Sequence, residues 1–259
     1  MLDLFRISTV DFLMFTLIFF RMSSLNITMP FFGGEQVPYN IRIAFVLGFA
    51  FVMYQTIDPA SIMVPRSLVE YVLFITKEIG IGVLLGFVAS IAFFAVQLGG
   101  EIVAIQMGLM EAEAIDPLSS MSIPVMGQFL TIFVMTVFLL LNGHHALLKL
   151  FADSFYKVPV GHIQYSQELF DFCLQSFNAL FVVAMRVAMP AIVMMFTLMV
   201  SLAFVARLIP QMNIFMLSLP VKMAGGLIIM SICVPLIAIL FHDTFSRAVD
   251  DMYKMLTLL

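Results

Sequence analysis

Charge is what this sequence lacks. Of its 259 residues only 11% are charged, against 63% hydrophobic, and the mean hydropathy is +1.11. An average soluble domain is roughly half apolar and about a quarter charged. So few charges cannot cover the surface of a water-soluble protein of this length, so lipid or partner subunits must cover much of it. The formal net charge of −4 leaves no basic footprint for nucleic acid. Cysteine is nearly missing. Cys173 and Cys233 both lie inside apolar runs, where buried free thiols are the plainer reading than a pair. A cleavable leader is not expected from the first residues: Asp3, Arg6 and Asp11 give no clean basic region, and Phe19, Phe20 and Arg21 give no small-residue cleavage site. Insertion is expected to use the first helix itself. There is no low-complexity tract, no sequence repeat, no phosphate-cradling loop and no dinucleotide fingerprint. His144 and His145 are adjacent rather than four apart, so they cannot form a helical zinc pair. The segment Asn142-Gly143-His144-His145 reads instead as the stop of a helix ending at Leu141.

What the sequence has is apolar length. A bilayer core about 30 Å thick takes roughly 20 apolar residues as helix. Six runs qualify as candidates: 12–32, broken by Arg21; 41–57, short and marginal; 68–98, interrupted by Lys77 and Glu78; 123–141, without charge; 172–206, carrying Arg186; and 214–241, carrying Lys222. The fold class expected is all-α, a single membrane-embedded helical domain over 1–259 with partly broken helices and helical hairpins. An ionisable side chain at a bilayer centre costs at least about 2.5 kcal/mol. Lys77 and Glu78 point about 100° apart on a helix, so they cannot both face lipid cheaply. Arg186, in mid-run, is expected to face protein or water; Lys222 either snorkels or is held by a partner. Pro190 must kink or break the fifth run, leaving a kinked long helix or a hairpin. Pro220, the pair Gly225–Gly226 and Pro235 interrupt the last run, which favours packed or pore-lining helices over lipid-bathed ones. Arg247 and Lys254 place the C-terminal tail in the cytoplasm by the positive-inside bias.

A purely acidic cluster stands out: Glu101, Glu111, Glu113 and Asp116, with no Lys or Arg between 99 and 122. It reads as a solvated loop, or as a site for cations or protons. Met107, Met110, Met121 and Met126, four of 22 methionines, flank it. Methionine is soft and re-packs around varied surfaces.

These features resemble the FliR family of the flagellar type III export apparatus, whose virulence-secretion counterpart is SctT. Met29-Pro30-Phe31-Phe32-Gly33-Gly34, Val37-Pro38 and Ile41-Arg42 carry the resemblance early in the chain. Gly100-Glu101-Ile102, Gln106-Met107-Gly108-Leu109 and Asp116-Pro117 carry it in the loop. Phe138-Leu139, Asn142-Gly143-His144, Met189-Pro190, Pro210-Gln211-Met212-Asn213-Ile214-Phe215 and Leu219-Pro220-Val221-Lys222 carry it later. The resemblance implies a non-enzymatic subunit that needs no cofactor or ATP site. It implies assembly with FliP and FliQ into a cone-like complex at the bacterial inner membrane, at the flagellar basal body, with FlhB and FlhA as further partners. Unfolded export substrates would pass through its centre, and much of the complex would sit at periplasmic level rather than in membrane lipids.

On that reading the loop 106–122 is the pore plug, formed by Gln106, Met107, Gly108, Leu109, Met110, Glu111, Ile115, Asp116, Pro117 and Met121. Arg186, Pro190, Pro210, Gln211, Asn213, Phe215, Pro220 and Lys222 would serve assembly and packing. Glu111 and Glu113 depart from the apolar pattern of relatives and fit an ordinary solvated loop as well. Two other readings stay open: the corresponding subunit of a virulence secretion system, and an ion-coupled small-molecule transporter using Arg186, Lys222 and Glu78.

Overall fold

The computed structural model describes residues 9–29, 33, 37–57, 65, 67–109, 125–161, 166–209 and 214–259. Among them every regular element is a helix: α1 (Thr9–Thr28), α2 (Tyr39–Thr56), α3 (Leu68–Gln106), α4 (Val125–Leu140), α5 (Gly143–Lys157), α6 (Gln167–Leu208) and α7 (Ile214–Leu258). The chain is an all-α integral membrane protein. Four of these helices, α1, α3, α6 and α7, are each long and apolar enough to cross a membrane, and α4 with α5 qualify only as a broken pair. The marginal second run, α2, falls short of that standard.

Local chemistry sets the helix starts. Ser67 accepts the Glu70 backbone N–H at 3.2 Å, and the Ser-x-x-Glu spacing is that of a capping box opening α3. Ser166 accepts the Leu169 N–H at 3.1 Å and opens α6 in the same way. Pro38 precedes α2, where its missing N–H has no intrahelical partner to lose. Asn142 sits at φ 55 between α4 and α5, a left-handed conformation that asparagine tolerates better than most residues.

Several expected interruptions are absent from the structure. Arg21 does not break α1, and Lys77 and Glu78 do not break α3; a helix backbone accommodates a charge whose side chain finds partners. Pro190 lies inside one 42-residue helix, which removes the hairpin alternative. Pro220 and Pro235 lie inside one 45-residue helix, which also absorbs the tail bearing Arg247 and Lys254. The segment Asn142–His145 does more than stop a helix. Asn142 ends α4 and its carbonyl accepts the His145 N–H at 3.0 Å, so the two histidines belong to the first turn of α5.

The chain divides into two compact units. The first comprises Met1–Ile91, Asn142–Ser176 and Ser246–Leu259; the second comprises Ala92–Leu141 and Phe177–Phe245. In the first, Met14, Leu17, Ile18, Met22 and Leu25 of α1 are buried, as are Ile81 and Leu85 of α3 and Leu147, Leu150 and Phe151 of α5. Gly82 allows a close approach there: a Cβ would stand 2.5 Å from the Arg21 carbonyl oxygen. The second unit is centred on four phenylalanines from three helices. Phe93 meets Phe138 and Phe241 edge-on at 5.3 and 5.1 Å between ring centroids, and Phe138 meets Phe245 at 5.2 Å. Such pairs contribute about 0.5–1.5 kcal/mol each beyond the area they bury. Cys173 is half-buried and Cys233 buried, and both are free thiols.

Candidate functional site

The chain leaves α3 through a tight turn. The Met107 N–H donates to the Val103 carbonyl at 2.9 Å, and the Gly108 N–H donates to the Ile105 carbonyl at 3.0 Å. Gly108 has φ 74, the left-handed conformation that closes helices and favours glycine. Met107 is 1% exposed. Its side chain lies over Gly226 of α7, where a Cβ would stand 2.7 Å from the Met107 Sδ and 2.8 Å from its Cε. At the neighbouring Gly225 a Cβ would stand 2.6 Å from Leu198 Cδ1 of α6.

The preceding turns of α3 are gripped at two more glycines. A Cβ on Gly99 would stand 2.7 Å from Val187 Cγ1 and 2.9 Å from the Ala184 carbonyl oxygen of α6. A Cβ on Gly100 would stand 2.9 Å from the Cα of Gly127 in α4. Beside them, Glu101 is half-buried and its Oε1 accepts the Gln97 amide at 3.1 Å. The end of α3 is therefore held by three helices through contacts that only glycine permits.

Of the expected plug residues, Gln106 ends α3, Met107 and Gly108 form the turn, and Leu109 is half-buried beyond it. Met110, Glu111, Ile115, Asp116, Pro117 and Met121 lie outside the described residues, as do Pro210, Gln211 and Asn213. Phe215 falls in the first turn of α7. Arg186 is exposed on α6, Pro190 is half-buried and Pro220 exposed. Lys222 is 5% exposed, held inside the chain rather than snorkelling outward. All the described members of both groups belong to the second unit.

The first unit contains a charge centre that sequence reasoning missed. Arg21 and Glu78 are both fully buried, and the Arg21 Nε donates to Glu78 Oε2 at 2.5 Å. The Arg21 Nη1 donates to the carbonyls of Ser154 and Val158, at 3.2 and 3.1 Å, and the guanidinium lies 4.4 Å from the Phe155 ring centroid. Glu78 Oε1 accepts the Gly161 N–H at 2.9 Å. One guanidinium thus joins α1, α3 and the end of α5. Adjacent Lys77 is half-buried, its Nζ 5.8 Å from the Phe74 ring centroid. The sequence signal was there, in an arginine and a glutamate each interrupting an apolar run, but nothing in one dimension paired them. Arg42 plays a smaller organising role, donating from Nε to the Val37 carbonyl at 2.9 Å and from Nη1 to the Gly33 carbonyl at 2.8 Å.

A family model for bacterial export proteins, family 1, matches residues 12–248. The chain is 34% identical to the flagellar biosynthetic protein FliR of Bacillus subtilis (strain 168) over 248 residues, which cover 94% of this chain and 95% of that protein. This chain belongs to the FliR family of bacterial export proteins. FliR of Aquifex aeolicus (strain VF5) is 32% identical over 254 residues, 96% of this chain and 95% of the relative. FliR of Escherichia coli (strain K12) is 28% identical over 227 residues, 88% and 86% of the two chains. The name these FliR relatives carry is flagellar, and it is not the name of an enzyme. In this FliR-family chain the residues that carried the resemblance fall into structural roles where they are described. Phe138 is core, Asn142 is the left-handed break, Gly100 is the α3–α4 contact, Arg42 pins the segment before α2, and Gly108 turns the chain out of α3.

Proposed function

We propose that this chain is a non-enzymatic subunit of a flagellar type III protein-export gate in the bacterial inner membrane. On this reading the chain, as one functional domain over 1–259, joins FliP-like and FliQ-like subunits to form the pore. FlhB-like and FlhA-like components are its further partners, and unfolded flagellar proteins pass through. The observation that carries the proposal is the identity to flagellar FliR proteins over nearly the whole of both chains. The surface supports it. Only 22% of the most apolar window of α6 and 33% of that of α7 are buried within the chain, against 67% for α3. Phe177, Phe181, Met185, Met189, Val193 and Phe196 recur every three or four residues along α6, all exposed. A continuous apolar stripe of that length calls for lipid or helices of other subunits. At 1.5 Å per residue α6 and α7 would run about 63 and 68 Å as straight helices, roughly twice a bilayer core. Helices that overrun lipid while staying apolar fit a protein assembly that rises out of the membrane.

The loop 106–122 is the plug in this proposal. A conduit for an unfolded chain leaks ions unless closed, and closure must yield to many substrates, which suits deformable Met107, Met110 and Met121. Arg186, exposed in mid-helix, is assigned to a partner subunit or a water-lined path. The transporter reading loses ground because Glu78, its open carboxylate, is fully buried and committed to Arg21 and Gly161. The test is deletion of residues 110–119, with ion leakage measured in cells or planar bilayers and assembly checked in parallel. A leaking, assembled complex is expected. An assembled complex as tight as the parent would remove the plug.

A further inference from the structure

We propose that the groove between α1 and α2 is a binding site for one glycerophospholipid, with its headgroup and ester oxygens at Asn26 and Arg42 and the start of an acyl chain between Phe19 and Val46. The two helices run antiparallel. At one end the Phe15 and Tyr54 rings meet at 6.3 Å between centroids. At the other, Arg42 donates to the Gly33 carbonyl, and a Cβ on Gly33 would stand 2.7 Å from the Asn26 carbonyl oxygen. Between them lies a cavity of about 180 Å³. Its lining is graded. Asn26, Tyr39 and Arg42 line the end where α1 stops and α2 begins, whereas Phe19 and Val46 lie about two turns deeper, roughly 11 Å along the axis. A phospholipid carries the same gradient, from oxygen-rich headgroup to hydrocarbon, and tyrosine and arginine are side chains of the membrane–water interface. The polar end calls for an oxygen. Asn26 is 6% exposed, and its Nδ2 has no acceptor among the described residues. A buried amide without a partner is costly, and a half-turn of this one presents its N–H groups to the cavity. The Val37 and Gly33 carbonyls fix the Arg42 guanidinium beside it, and no Asp or Glu lines the cavity among the described residues. Size selects the occupant. An apolar cavity of about 150 Å³ holds benzene, so this one takes a headgroup oxygen and a short length of chain. A helix, about 10–12 Å across, does not fit.

The site stands apart from the export-gate reading, because its readout is bound lipid rather than export. The full chain, extracted from bacterial membranes in mild detergent with any subunits that accompany it, is weighed by native mass spectrometry after washing off loosely held lipid. The parent is expected to keep one phospholipid. Ile43→Trp, which fills the groove from a position 36% exposed, is expected to lose it several-fold, while Val193→Trp on the exposed face of α6 keeps it. Retention by Ile43→Trp at the parental level overturns the site. Asn26→Leu guards against a mere folding effect, since it removes the group that needs an oxygen. Vesicles of phosphatidylethanolamine and phosphatidylglycerol, added to stripped protein, should raise the parent's Tm by several degrees and that of Asn26→Leu by less than half as much. Equal rises would sink the assignment. Millimolar inorganic phosphate is the second probe and should give no such rise, because the hydrocarbon supplies much of the hold; a rise with phosphate alone makes the ligand a free anion and defeats the proposal. Last, a diazirine-bearing residue in place of Ile43 is photolysed in membranes. An adduct of phospholipid mass is expected, and a crosslink to another protein in its place would give the groove to a partner's side chain instead.

Discussion

Replacing Glu78 by glutamine changes one atom's chemistry and almost no volume, yet it should be among the most damaging substitutions in this chain. Both members of the Arg21–Glu78 pair are fully buried. Arg21 would remain charged, held by the carbonyls of Ser154 and Val158 but with no counter-charge. Glutamine also offers one carbonyl oxygen where the carboxylate offered two, so either the Arg21 Nε or the Gly161 N–H loses its acceptor. Breaking a buried pair by removing one partner costs about 3–5 kcal/mol, which lowers the folded-to-unfolded ratio by roughly a hundred- to a few-thousand-fold. Removing both charges, with Arg21→Met and Glu78→Leu together, should be close to neutral, because apolar groups of similar volume often replace a buried pair without loss. The assay is the Tm of the detergent-solubilised complex together with protease resistance of the chain in membranes, for the parent, each single variant and the double. A Glu78→Gln protein within about 1 kcal/mol of the parent, or a double variant as damaged as the singles, would refute the reasoning.

Lys222→Leu should reduce complex assembly or export far more than Lys254→Leu, since Lys222 is 5% exposed while Lys254 is 69% exposed with only a surface pair to Asp251; equal effects in a co-purification assay would remove Lys222 from the functional set. Gly100→Val should separate α3 from α4, because even a Cβ there meets the Gly127 backbone at 2.9 Å; overpacking of this kind costs about 1–3 kcal/mol, read as a lower Tm and yield. Asn142→Val should lose about 1–2 kcal/mol through the left-handed backbone at φ 55, while Asn142→Gly should hold the parental Tm.

Much of the helical layout was legible because lipid demands one feature, long apolar runs, and the six runs fall on α1, α2, α3, α4, α6 and α7. Helix α5 escaped because it answers to a different rule. Its buried Leu147, Leu150, Phe151 and Ser154 follow amphipathic spacing, while Lys149 and Asp153 between them lower the hydropathy below that of a span. The last run stopped at Phe241 for a related reason, because His242 and Asp243 end its apolar stretch while the helix continues to Leu258; Pro220 and Pro235 within it forbid particular hydrogen bonds, not helices as such. For the site, Gly99, Gly100 and Gly226 stand in the sequence simply as glycines in or beside apolar runs. Their actual use as seats for Met107, Val187 and Gly127 depends on which helices approach, and composition says nothing about that.

The buried pair also bears on the order in which the chain is made. Arg21 precedes its carboxylate by 57 residues and its Ser154 carbonyl by 133. At about 5–20 residues per second, the ribosome exposes a bare arginine for roughly 3–11 s before Glu78 exists. Its helix has the lowest hydropathy of the four spans, 1.4 against 2.2 to 2.5. The first helix therefore enters the membrane as its least willing segment and waits there for the third to neutralise it. Biogenesis is more fragile in those seconds than the finished fold, and a pause or truncation between α1 and α3 strands a charge that the completed protein never shows.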